Sequence, residues 1–104
     1  MNDQDDSFRT AFRIDPGHPA LAGHFPDNPV VPGVVLLERV ARALQTWRRV
    51  GMQKLDVKFV RPLLPGEDAV IELRAHDGCT HFTVALADGG MLARGKLETA
   101  REWT

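Results

Sequence analysis

Gly23-His24-Phe25-Pro26-Asp27-Asn28-Pro29-Val30-Val31-Pro32-Gly33-Val34-Val35-Leu36-Leu37-Glu38 passes from a proline-stiffened loop carrying a histidine into an apolar helix carrying a lone glutamate. Pro26, Pro29 and Pro32 each fix φ and remove an N–H donor. Each also drives the residue before it toward extended geometry. The loop is therefore expected to be rigid and irregular, a suitable mount for His24. Pro32 suits the first helical position, where a missing N–H costs nothing. Behind it the amides of Gly33, Val34 and Val35 are expected to lack intrahelical partners and to carry the positive end of the helix dipole. An imidazole, a carboxylic acid and a helix N-terminus are the parts needed for proton transfer beside a carbonyl.

Working outward, the helix is expected from about Pro32 to Val50, with Gly51 just beyond it. Leu36, Leu37, Val40, Ala41, Leu44 and Trp47 form its apolar stripe, and Val34 and Val35 widen the apolar coverage at its start. Glu38 falls at the margin of the polar side, near Arg42 and Gln45. Before the loop, Phe8, Thr10, Phe12 and Ile14 alternate with Arg9, Ala11 and Arg13, the period of a strand buried on one face. After the helix, Leu55, Val57 and Phe59 alternate with charged residues. Ala69, Ile71, Leu73 and Ala75 repeat the pattern, as do Phe82, Val84 and Leu86, and then Met91, Ala93, Gly95 and Leu97. Asp77-Gly78 and Asp88-Gly89-Gly90 are hairpin signals. One helix and about five antiparallel strands make a single α+β domain over residues 1–104, the sheet wrapped against the helix.

The bulk properties narrow the function. A formal net charge of −1 gives no basic footprint for nucleic acid. No apolar run reaches membrane-spanning length, and the acidic start, Met1 to Asp6, is unlike a signal peptide and is expected to be a disordered tail. The single cysteine, Cys79, forms no intrachain disulfide and points to a reducing, cytoplasmic setting. His76, Cys79 and His81 flank a hairpin, but three donors without a fourth argue against a metal site, and none is expected.

The stretch Gly23-His24-Phe25-Pro26, followed by Pro32-Gly33-Val34 and then Glu38 fourteen positions after the histidine, resembles the 3-hydroxyacyl-[acyl-carrier-protein] dehydratases of the FabA/FabZ type. Phe59-Val60-Arg61-Pro62-Leu63-Leu64-Pro65-Gly66-Glu67 resembles that family's Phe-x-Arg-Pro-x-x-Pro-Gly-Asp turn, and Asp88 to Gly95 its last hairpin. The resemblance runs from about Ile14 to Glu98. It implies a hotdog fold, a curved antiparallel sheet around one long helix. It also implies a homodimer, with room for higher oligomers, whose two sites each combine His24 of one subunit with Glu38 of the other. The chain departs from the family pattern at Asp27, usually glycine, and at Arg42, usually glutamine, and its stretch before the first strand is short.

The expected reaction is dehydration of a 3-hydroxyacyl thioester in fatty-acid or specialised polyene synthesis. His24, neutral near pH 7, takes the C2 proton and Glu38 protonates the departing hydroxyl. Such donation needs a protonated carboxyl, which the apolar neighbours Val34, Val35 and Leu37 favour and Arg42 opposes. The amide of Gly33 would receive the developing enolate oxygen, with Phe25, Pro32 and Val34 lining the substrate. No cofactor is expected. The acyl group arrives on the phosphopantetheine of an acyl carrier protein or of coenzyme A, and Arg39, Arg48, Arg49 and Arg61 are candidates to meet an acidic carrier or the arm's phosphate. The competing functions are a hotdog thioesterase and a non-catalytic hotdog subunit that binds acyl carrier protein or completes a heterodimer.

Overall fold

Backbone geometry carries these alternations into one sheet. The structure is a computed structural model that describes residues 6–21, 30–76 and 78–99. Strand β1 spans Ser7–Arg13, helix α1 Gly33–Arg48, β2 Met52–Phe59, β3 Asp68–His76, β4 Cys79–Leu86 and β5 Met91–Thr99; a 3-10 turn, Pro19–Leu21, follows β1. The five strands form one antiparallel sheet in the order β1-β3-β4-β5-β2. The chain starts at one edge, crosses in α1, and continues at the other edge in β2. This is the hotdog arrangement. Met1 to Asp5 of the expected tail, His24, Phe25 and Asp27 lie outside the described residues.

The core sits between α1 and one face of the sheet. Val35, Leu36, Val40, Ala43 and Leu44 are buried from the helix side; Ile71, Leu73, Phe82, Val84 and Leu97 are buried from the sheet side. Ile14, Leu21, Val31 and Leu63 close the end where the helix begins. Trp47 packs on this core and stacks on Phe8, with ring centroids 6.3 Å apart.

Four expectations are corrected. The buried stripe takes Ala43 rather than Ala41, because Leu36, Val40, Ala43, Leu44 and Trp47 keep the spacing of one helical face. The helix ends at Arg48, and Arg49, at φ 60°, supplies the left-handed cap while its amide donates to the Gln45 carbonyl. Leu92 is fully buried beside Ala93, because a register shift between Val84 and Ala85 turns two successive β5 residues inward. Finally, the apolar face of β2 is poorly covered: Leu55 and Phe59 are 38% and 47% exposed, since β2 is an edge strand paired only with β5.

At the other edge, Arg13 Nε and Nη2 donate to Asp68 Oδ1 and Oδ2 at 2.8 and 2.9 Å, across the β1–β3 register. These bonds hold the Asp68 carboxyl below its ordinary range near 3.8. A depressed carboxylate stabilises the fold above its unfolded-state pKa and loses that contribution as pH falls through the folded one. Asp68→Asn should therefore be slightly less stable than wild type at pH 7 and equal to it near pH 2, as read from urea melts at both values.

Candidate active site

The helix N-terminus is built by the loop before it and by the β2–β3 connection. The Val31 amide donates to the Leu63 carbonyl at 2.8 Å, fastening the end of the loop to the core. Pro32 is the residue before the helix, not its first member: at ψ 144° it is still extended. Its carbonyl accepts the Val35 amide at 2.9 Å, so Val35 is already satisfied, against expectation. The amides of Gly33 and Val34 have no acceptor among the described residues and remain at the positive end of the helix.

Gly33 lies flush against an aromatic ring. A Cβ on it would stand 2.7 Å from Cζ of Phe59, at the end of β2. That ring begins an open cleft of about 430 Å³ lined by Val31, Gly33, Leu36, Phe59, Val60, Arg61 and Pro62. Ligand clefts commonly have roughly this size and apolar character. Phe59 and Val60 escaped sequence reading as site residues because only the fold brings the end of β2 to the start of α1.

Glu38 stands apart from this cleft. It lies on the exposed side of α1 one turn after Val34, which is 71% exposed where burial was expected. Its side chain is 59% exposed, and Oε1 lies 4.0 Å from Nη2 of Arg42, an i,i+4 ion pair. Within one chain, Glu38 does not line the cleft that holds Gly33. The protomer therefore brings Gly33, Phe59 and Arg61 to one cleft, with Pro32 next to Gly33 in the chain but not lining it, and leaves Val34 and Glu38 exposed on α1. His24 and Phe25 fall among the residues not described.

The other candidates sort by their neighbours. The Arg39 guanidinium lies over the Phe12 ring at 5.9 Å and that of Arg48 over Trp47 at 4.1 Å. The rings of His76 and His81 meet edge to face at 5.9 Å. Among the described residues no group of three His, Cys, Asp or Glu side chains is placed to hold a metal ion, and no helix is long and apolar enough to cross a membrane.

Comparison with known proteins gives the family and the fold. The family described as ApeI-like, the ApeI dehydratases, matches residues 1–96. The 3-hydroxyacyl-[acyl-carrier-protein] dehydratase FabZ of Pasteurella multocida is 35% identical over 103 residues, covering 85% of this chain and 68% of that protein. The FabZ of Tolumonas auensis is 31% identical, covering 97% of this chain and 78% of its own. Among solved structures, the dehydratase heterocomplex ApeI:P from Xenorhabdus doucetiae superposes with a TM-score of 0.80 at 24% identity, covering 93% of this chain and 89% of that one.

Proposed function

The chain belongs to the ApeI-like dehydratases and is a 3-hydroxyacyl-thioester dehydratase, and we propose that its active site is completed by a second hotdog subunit, with His24 of one and Glu38 of the other. The observation that carries this reading is the separation of Glu38 from the cleft at Gly33 within one chain. A dehydratase needs base, acid and oxyanion donor around one substrate, and a second subunit would supply the acid that the cleft of one chain lacks.

The bare surfaces support a second copy as the partner. The outer edge of β2 carries unpaired backbone groups, and Val34, Leu55, Phe59 and Val60 form an exposed apolar band near it. Antiparallel pairing of β2 with itself about Val57 sets Asp56 opposite Lys58 and Leu55 opposite Phe59. Pairing about Leu55 sets Asp56 opposite Lys54. Both give complementary charges; only the register about Asp56 opposes Lys54 to Lys58. The strand is thus self-complementary. The same edge would accept a related hotdog chain; the Xenorhabdus structure is named as a dehydratase heterocomplex.

In this site His24 removes a proton from C2. The electrons move into the thioester carbonyl, whose oxygen is met by the Gly33 amide. Collapse of the enolate expels the C3 hydroxyl, which leaves as water with the proton from Glu38. The C2–H and C3–O bonds break and the C2–C3 double bond and water form, an elimination with no change in overall oxidation state that calls on no metal or organic cofactor. Donors such as the Gly33 amide are worth roughly 3–4 kcal/mol of barrier. Phosphopantetheine, on acyl carrier protein or in coenzyme A, delivers the substrate. A cytoplasmic setting fits the free thiol of Cys79.

The purified protein should hydrate a short trans-2-enoyl thioester, seen as loss of enoyl absorbance. It should release no free thiol. Thiol release without hydration marks a thioesterase, and carrier binding with neither reaction marks a non-catalytic subunit.

A further inference from the structure

Of the four arginines named as candidates for the carrier or its arm, the fold places Arg61 on the cleft that holds Gly33. Arg39 and Arg48 are stacked on aromatic rings, and neither they nor Arg49 line that cleft. Among the cleft's lining residues Arg61 alone is charged. Among the described residues its guanidinium has no carboxylate partner.

Its position is set from both ends. The amides of Val60 and Arg61 converge on the Leu92 carbonyl at 2.7 and 3.3 Å, which ties this corner to the bulge in β5. At the far end, the guanidinium lies across Gly90 in the β4–β5 turn. A Cβ there would stand 2.7 Å from Nη2 and 3.2 Å from Cζ. A long cationic side chain is therefore laid against a residue with no side chain at the β4–β5 turn, while Arg61 itself lines the apolar cleft.

Building on the dehydratase reading, we propose that Arg61 is the phosphate-reading residue of this site: it binds the phosphate at the end of the phosphopantetheine arm while the arm lies along the cleft toward Gly33. The chemistry fits. The arm is uncharged along its length, with two amides and a hydroxyl set between short aliphatic links, and carries its anion at the far end. The cleft is apolar along Val31, Leu36, Phe59 and Val60 and carries its cation at Arg61. Guanidinium offers paired donors to phosphate oxygens, and such charge-assisted bonds are among the stronger polar contacts.

The test separates recognition from turnover. Binding of S-butyl pantetheine and S-butyl 4′-phosphopantetheine, neither of which reacts, is measured by calorimetry on the intact protein, and the turnover of the matching crotonyl thioesters of both arms, of coenzyme A and of acyl carrier protein is followed in parallel. Wild type should bind the phosphorylated arm about tenfold more tightly than the bare one. In Arg61→Gln that preference should fall to within about twofold, and Arg61→Lys should keep part of it. Gly90→Ala, which displaces the guanidinium without removing its charge, should give an intermediate ratio. With the crotonyl substrates the loss should appear in KM, equally for coenzyme A and carrier protein, which share this phosphate.

An unchanged ratio in Arg61→Gln overturns the proposal. So does a loss confined to coenzyme A, which would place the contact on its nucleotide, or one confined to the carrier, which would place it on the carrier's surface. The dehydratase reading fails separately, if the folded wild type binds the arms but hydrates none of the crotonyl thioesters.

Discussion

Replacing His24 by Ala, or Glu38 by Gln, should lower hydration of a short enoyl thioester by roughly two to four orders of magnitude, the usual contribution of a positioned acid or base. Neither change should disturb the fold. Glu38 is exposed on α1 and its contact is a 4.0 Å surface pair, worth little to stability. Mixing the two inactive variants makes the result decisive. When subunits exchange at equal concentrations, half the dimers contain one chain of each kind. In such a dimer one site inherits both lesions and the other inherits neither. An equimolar mixture should therefore regain about a quarter of wild-type activity, by counting intact sites in a two-fold assembly. A site contained within one chain would regain nothing on mixing, and that result would end the shared-site reading.

The largest expected effect on stability comes from a single methyl group. A Cβ on Gly95 would collide with the backbone carbonyl of Asp56 and stand 3.0 Å from the buried ring of Phe82. Neither obstacle can swing aside: one is main chain in the paired strand, the other is core. Gly95→Ala should cost about 3 kcal/mol, near the upper end for overpacking. In a domain of this size that is a fall in Tm of roughly 12–24 °C, read by calorimetry. Gly90→Ala is the control, because its new Cβ meets chiefly the end of the flexible Arg61 side chain. It should change Tm little. Equal losses in the two variants would show that glycine as such, and not the β2–β5 contact, matters at position 95.

The strands and the helix were legible because their signals are local. Period-two alternation in β1, β3 and β4 reports one-sided burial directly, and the observed pattern follows it. The misreadings share one cause: burial depends on what lies opposite. Leu55, Val57 and Phe59 alternate like core residues, yet Leu55 and Phe59 stay 38% and 47% exposed at the edge of the sheet. Val34 is apolar for the same reason that it is exposed: it lies on the face with Glu38 that the protomer leaves bare. Leu92 broke the alternation through a bulge, which depends on the pairing of two distant segments. The spacing in the motif singled out Gly33 and Glu38; the fold sets Gly33 on the cleft and Glu38 on the exposed side of α1. Phe59 joined the cleft only through the meeting of two chain segments twenty-six positions apart in sequence but adjacent in the fold.

The two edges of the sheet differ in what they invite. An edge that pairs with its own copy closes on itself and stops; an edge that pairs with the opposite edge of the next molecule grows without limit. For this chain the second route runs β1 against β2. Over the full length of β1 the antiparallel registers set Arg9 opposite Asp56 or Val57, so charge does not bar this route. What counts against it is occupancy: self-pairing of β2 would use up the apolar edge that seeds an open chain of subunits. The edge that pairs first thus bears on how many copies gather as well as on whether they do: β2 spent on its own copy would leave a finite particle, not a fibre.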